Sequence, residues 1–267
     1  MRRAQEVLGR VTAEWVEAGL PADCEVLCGL HDSNSALLAA RGHAEIALND
    51  ATVLSTGTWF VAMRSLGEDA RPPKLDAGRD CLINVDVRGL AAPSARFMGG
   101  RESELIAGLD SFHITDNYDP QAILPLLPDL IAADSMVLPS FAPGFGPFPD
   151  HKGAFLNPPQ TLEEKRAVLG LYLALMADVA LDLIGARARI LVEGRFAEAE
   201  VFVRALASLR KDAQVYVSNA HDDVPFGALR LVFPDLAPKS ALRRVAPLDL
   251  SLDLYQALWR RRVSSTI

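Results

Sequence analysis

Short apolar runs are separated by turns and helical patterns along the first part of this chain. Runs of strand character predict strands at 25–30, 51–55, 58–63, 80–87 and 94–97. Gly57 interrupts two of these runs and therefore predicts a tight turn. Small residues form one face of 33–41 and predict a helix directly after the first strand, and another helical pattern begins after Gly99 and Gly100.

The later part of the chain begins with a proline-rich segment and then becomes regular. Residues 139–159 include six prolines and three glycines, which predict a long ordered loop. Thr161 and Glu164 have the spacing of a capping box and Gly185 supplies a C-terminal stop, so we expect the longest helix between them. Beyond it, strands at 188–192 and 214–218 alternate with helices at 197–209 and 223–233.

Consecutive strands followed by alternating helices and strands define the fold class. This order predicts an α/β fold with a mixed sheet flanked by helices, as in the ribonuclease-H-like, actin-type ATPase lobe. With 267 residues, half of them hydrophobic, the chain is long enough to bury a large core.

Charge and thiol content narrow the classes of partner. With 34 acidic and 27 basic residues the net charge is −7, and no basic stripe stands out, which disfavours a nucleic acid. The most apolar stretch, 169–186, is interrupted by Asp178 and Asp182, so no membrane span is expected. Three scattered cysteines suit neither a disulfide framework nor a metal site, and they favour a reducing, cytoplasmic location without a structural metal.

Asp32 is the first candidate for chemistry, because it lies where a strand gives way to a helix. At the end of a strand a carboxylate faces a crevice and can act as a catalytic base. Taken alone, an Asp in front of a helix is more often an N-cap. Both interpretations stay open at this point.

The segment from Ser55 to Trp59 places hydroxyl groups around Gly57, between two predicted strands. Phosphate binding needs N–H and O–H donors and a backbone without side-chain bulk, and this turn offers both. The alternative is an ordinary Ser/Thr-rich hairpin. Gly194 at a strand-to-helix transition and Gly227 in a later helix could likewise admit a base or a phosphate, or simply punctuate the chain.

The order and spacing of these segments resemble the C-terminal half of the FGGY carbohydrate kinases, over about residues 8–233. The resemblance rests on Gly-x-His-Asp at 29–32, Gly-Thr-Trp at 57–59, the Gly-Gly helix start at 99–100, and the later strand-Gly-helix and Gly-Ala segments. The sequence Ser-Thr-Gly-Thr-Trp at 55–59 is most similar to that of the rhamnulokinase and fuculokinase branch.

The resemblance implies transfer of the γ-phosphate of ATP, with Mg²⁺, to a hydroxyl of a sugar, which we expect to be a ketose or deoxy-ketose. Asp32 corresponds to the catalytic base. The implied nucleotide-binding residues are Gly57, Thr58, Gly100, Glu104 and Gly194. Arg195 stands where the family has the second glycine of its adenosine motif.

The same resemblance implies a second lobe. Family members carry an Asp-x-Gly-Thr phosphate loop and most sugar contacts in a preceding half, which we do not find in this sequence. We expect a hinge or linker helix remnant at 1–20, the C-terminal nucleotide-binding domain at 21–267, and no N-terminal sugar-binding domain. The chain alone should then be incompetent and should need that lobe in cis or in trans.

A rival interpretation is a non-catalytic actin-fold module that binds a nucleotide or only a partner. Arg195 and the missing phosphate loop favour this module, whereas Asp32 and the turn at 56–58 favour descent from a working kinase. The sequence leaves a homodimer open.

Overall fold

The computed structural model describes residues 2–47, 50–67, 70–108, 116, 118–218 and 223–265. Its first segment is a two-stranded antiparallel sheet of β1 (Val7–Arg10) and β2 (Glu25–Leu27), joined through helix α1 (Ala13–Glu17). No residue of β1 or α1 is buried. The segment expected as a linker helix thus contains a strand as well as a helix.

The remaining strands, in chain order, are β3 (Ala51–Thr56), β4 (Phe60–Ser65), β5 (Cys81–Val85), β6 (Ala91–Phe97), β7 (Met136–Leu138), β8 (Ala154–Leu156), β9 (Arg189–Gly194), β10 (Gln214–Val217) and β11 (Arg243–Arg244). The remaining helices are α2 (Asp32–Ala40), α3 (Gly99–Ala107), α4 (Pro120–Ile123), α5 (Leu127–Ala132), α6 (Leu162–Leu183), α7 (Glu200–Leu209), α8 (Asp223–Val232) and α9 (Asp253–Ser264).

One mixed sheet organises the fold. Its strand order is β11-β10-β9-β3-β4-β6-β5, while β7 and β8 pair separately. The strands β3, β9 and β10 are parallel, whereas β3, β4, β6 and β5 pair antiparallel in that order, with β5 at the edge of the sheet beyond β6. The predicted fold class, a mixed sheet flanked by helices, is confirmed.

Helix α6 lies at the centre of the larger hydrophobic core. Its 22 residues are apolar nearly all round, as expected of a helix enclosed by other elements, and 166–181 are buried. The predicted capping box is present: the Thr161 hydroxyl accepts from the Glu164 N–H at 3.1 Å, and the Glu164 carboxylate accepts from the Thr161 N–H at 3.0 Å. Gly185 follows the helix with a φ of +67°.

Helices α2 and α8 pack closely against each other. A Cβ on Gly227 would lie 1.9 Å from the carbonyl oxygen of Ser35, and the Ser35 hydroxyl donates to the carbonyl of Val224 at 2.6 Å. Of the two interpretations of Gly227, this contact favours ordinary punctuation over the approach of a base or phosphate, because the backbone of α2 occupies the space beside its Cα.

Several elements were not predicted, and β8 and α9 are the most instructive of them. The long loop at 139–159 contains β8, which returns antiparallel along β7. Helix α9 was not predicted, because only Tyr255, Trp259 and Val263 are buried, a narrow stripe among charged residues. In the part of the chain that the structure describes, no helix is both long and apolar enough to cross a membrane.

Candidate active site

The candidate site lies at one edge of the main sheet. Strands β3 and β9 are parallel and Thr56 pairs with Gly194, so the carboxyl ends of both strands meet there. Strand β6 ends at Phe97, opposite Phe60 at the start of β4, and α3 begins two residues later. The turn between β3 and β4, the start of α3 and the end of β9 are thereby brought together.

Hydrogen bonds join the β3–β4 turn to α3. The Gly57 N–H donates to the Trp59 carbonyl at 3.1 Å, and the Gly100 N–H donates to the Thr58 carbonyl at 3.2 Å. The Gly57 N–H is thus already bonded within the turn. What Gly57 offers a ligand is open space, because the nearest atom to an added Cβ would be the Trp59 oxygen at 3.9 Å.

Gly194 is required by the backbone itself. Its φ is +82°, and an added Cβ would lie 2.2 Å from the Thr56 carbonyl oxygen. The Thr56 hydroxyl donates to the Glu193 carbonyl and accepts from the Phe196 N–H at 3.2 Å, which ties the two strand ends together. Gly194 therefore lies beside the turn, and Arg195 after it is exposed.

The two acidic residues of α3 lie in different environments. Glu104, which the resemblance implied as a nucleotide-binding residue, is partly exposed and forms an ion pair with Arg101 in the same helix. Glu102 is 1% exposed and binds groups from two other segments. The sequence did not single out Glu102, and its only signal was a position two residues after the Gly-Gly pair.

Asp32 is the first residue of α2 and its side chain is 69% exposed. The N-cap residue is His31, so the interpretation of Asp32 as the N-cap is wrong. The Asp32 carboxylate still accepts from the N–H of Ser33 at 2.6 Å, and its Oδ1 lies 2.6 Å from Nδ1 of His31.

A groove of about 240 Å³ lies beside the start of α2, against β4, β5 and β6. Its polar lining consists of His31, Ser33, Asn34, Asp80, Asn84, Ser94 and Arg96. Arg96 connects the groove to the β3–β4 turn, because its guanidinium lies 4.8 Å from the centre of the Trp59 ring while it bonds Asp80 at 2.9 Å. Oδ1 of Asn34 is buried and has no hydrogen-bond partner among the described residues.

Within the described ranges, no three His, Cys, Asp or Glu side chains lie close enough together to hold a metal ion.

Comparison with known proteins identifies the class. Residues 48–241 match the family described as carbohydrate kinase FGGY, C-terminal domain. This chain therefore belongs to the FGGY carbohydrate kinase family. No curated protein matches it.

Solved structures agree with this assignment. A carbohydrate kinase from Novosphingobium aromaticivorans is 51% identical, with a TM-score of 0.89, over 99% of this chain and 57% of that chain. A xylulose kinase from Rhodospirillum rubrum, at 20% identity and a TM-score of 0.64, and a Plasmodium falciparum glycerol kinase with ADP, at 12% and 0.65, share the fold. In both of these the match covers 99% of this chain and 55% of theirs.

Proposed function

We propose that this chain is the nucleotide-binding half of a kinase that transfers the γ-phosphate of ATP to a hydroxyl of a sugar. One observation carries the proposal: an open glycine turn, the start of α3 and the end of β9 meet at one sheet edge, and Arg96 links that edge to the groove beside Asp32. Phosphoryl transfer requires mainly this kind of positioning.

On the nucleotide side, the β3–β4 turn fits a phosphate group. The bare face of Gly57 leaves room that a Cβ would fill, and the exposed Thr58 lies next to it. Gly100 holds this turn against α3, and Gly194 and Glu104 complete the proposed nucleotide contacts. When bound, ATP supplies the phosphoryl group, and Mg²⁺, held mainly through phosphates and water, neutralises its charge.

On the acceptor side, Asp32 accepts the proton of the attacking hydroxyl. The carboxylate is exposed at the start of α2, and the residues on either side of it line the groove. Asp80 and Arg96 in the groove neutralise each other, which suits an uncharged polyol, and the free Oδ1 of Asn34 suits a hydroxyl donor. We propose that the sugar substrate is a ketose or deoxy-ketose. We also propose that the chain is related to the rhamnulokinase and fuculokinase branch of the family.

A second lobe is part of this proposal. We assign residues 21–267 to the nucleotide-binding domain, with 1–20 as its connection to a sugar-binding lobe supplied in cis or in trans. Support comes from the 57% coverage of the Novosphingobium kinase and from the exposure of β1 and α1. The three free thiols suit a cytoplasmic location.

Arg195 favours a second candidate function, a non-catalytic module of the same fold. It occupies the place of a glycine in the family's adenosine motif, and a long side chain there would reshape the adenine site. Nucleotide binding without phosphorylation of any sugar would support this module.

The substitution Asp32→Asn tests the kinase, in a protein that contains both lobes. Asn keeps the shape but removes the proton acceptor, so kcat should fall by about 10² to 10⁴. Asp253→Asn is the matched control, because Asp253 is also the exposed first residue of a helix and lies on α9. Unchanged formation of ADP and sugar phosphate by Asp32→Asn would remove Asp32 from the mechanism.

A further inference from the structure

A buried carboxylate connects three separate segments behind the candidate site. Glu102 lies in the first turn of α3, and its Oε1 accepts from the Ser140 hydroxyl at 2.8 Å and the Ala142 N–H at 3.2 Å. Its Oε2 accepts from the hydroxyl of Tyr172 in the middle of α6. We call these four residues the Glu102 network.

The network is suited to a charged carboxylate. Burying an ion is costly unless hydrogen bonds satisfy it, and here all three neighbours are donors. Ser140 and Tyr172 are themselves buried, at 2% and 1% exposure. Burial, followed by the charge of Glu102, raises the pKa of Tyr172 well above its usual value, so its hydroxyl keeps the proton that it donates.

The first turn of α3 is fixed from two sides. On one side the Gly100 N–H bonds the Thr58 carbonyl of the β3–β4 turn, and Gly99 lies so close to Phe60 that an added Cβ would be 2.6 Å from its ring. On the other side Glu102 ties the same turn of helix to α6 and to the proline-rich loop. Movement of α3 away from α6 would therefore move the partner of Thr58.

We infer that Glu102 is a positioning residue, which acts through Gly100 to hold the β3–β4 turn in its phosphate-binding geometry. This inference rests on the proposed function and deepens it. It brings a second acidic residue of α3 into the site in which the family resemblance implied Glu104 as a nucleotide contact. The carboxylate does not touch the ligand, and its effect is transmitted by the first turn of α3.

Tyr172→Phe is the test, because it removes one donor and leaves the ring in place. Tyr255→Phe is the matched control: Tyr255 is 4% exposed and donates to the Ser135 carbonyl at 2.7 Å, joining α9 to the segment before β7. Both variants should lower Tm by a few degrees. Hydrogen exchange at the Gly100 amide is measured in this chain without a ligand. The Kd for ATP with Mg²⁺ is measured in a protein that contains both lobes.

We expect Tyr172→Phe, but not Tyr255→Phe, to accelerate hydrogen exchange at the Gly100 amide. It should also raise the Kd for ATP by about tenfold, which is the equivalent of one charged hydrogen bond. Ser140→Ala, which removes a different donor, should do the same to a smaller extent and serves if Tyr172→Phe does not fold. Unchanged Gly100 exchange and Kd in these variants would overturn the inference and leave the proposed function intact. Failure of the unsubstituted two-lobed protein to bind ATP would overturn the proposed function instead, and with it the role of Glu102.

Discussion

At the scale of single residues, Gly57 and Gly194 lie in the same site for different reasons. Gly194 has a positive φ and no room for a Cβ beside Thr56, so its substitution would disturb the strand ends. Gly57 has neither constraint. A substitution of Gly57, unlike one of Gly194, can therefore test ligand binding without disturbing the fold.

Gly57→Ala should leave the free energy of unfolding within about 0.5 kcal/mol of the original and raise the Kd for ATP at least about tenfold. The added methyl group finds open space in the protein but occupies the face on which a phosphate would lie. Gly67→Ala is the control, because a Cβ added there also causes no clash and has no atom within 4 Å. Urea titration and calorimetry of the two-lobed protein measure the two quantities, and equal ATP affinity in both variants would contradict the phosphate turn.

Residue spacing could indicate the glycine turn but not the buried carboxylate. The hydroxyl groups around Gly57 lie close together in the sequence, so the chain itself brings them into one turn. Glu102 acquires its role from Ser140 and Tyr172, which are distant along the chain. Such a convergence depends on tertiary packing and leaves no local pattern.

At the scale of elements, local signals predicted some helices and missed others. The Thr161 capping box and an apolar run identified α6, because both signals lie within the helix itself. Helix α9 carries neither: its N-cap residue, Leu252, makes no side-chain cap, and its charged residues mask the stripe formed by Tyr255, Trp259 and Val263. Its stability comes from contacts such as the Trp259 N–H bond to the Val137 carbonyl at 2.8 Å.

The contact between α2 and α8 predicts an unusual result for Gly227→Ala. In an exposed helix this change would stabilise by up to about 1 kcal/mol through helix propensity. Here the methyl group meets the backbone of Ser35, so we expect a net loss of about 1–3 kcal/mol from overpacking. Ala228→Gly, at the neighbouring exposed position, is the control and should cost about 1 kcal/mol from propensity alone. Urea unfolding measures both, and a stabilised Gly227→Ala would show that the two helices do not pack this closely.

At the scale of the whole molecule, one group of exposed apolar side chains lies at the beginning of the chain. Leu8, Trp15, Leu20 and Val26 are 41–57% exposed and surround a groove of about 490 Å³. Exposed apolar side chains gathered around one groove are typical of an interaction surface. If the second lobe of the proposed function is present, we expect it to cover this surface, since this chain matches 57% of the Novosphingobium kinase.

Trp15→Ser tests that expectation in two proteins, this chain alone and a fusion that adds the remainder of the Novosphingobium kinase. Alone, the chain leaves Trp15 57% exposed, so the substitution should change its stability by less than about 0.5 kcal/mol and should weaken its binding of a hydrophobic dye. In the fusion the side chain becomes buried, so Trp15→Ser should cost about 2 kcal/mol, read from the urea midpoint, and the dye should bind poorly before any substitution. Leu254→Ser, at an 88% exposed position on α9, should change neither the stability nor the dye binding of either protein.

Equal dye binding by the chain and the fusion would mean that the second lobe does not cover this surface. Concentration-dependent dimers that are lost in Trp15→Ser would identify a second copy of this chain as its partner.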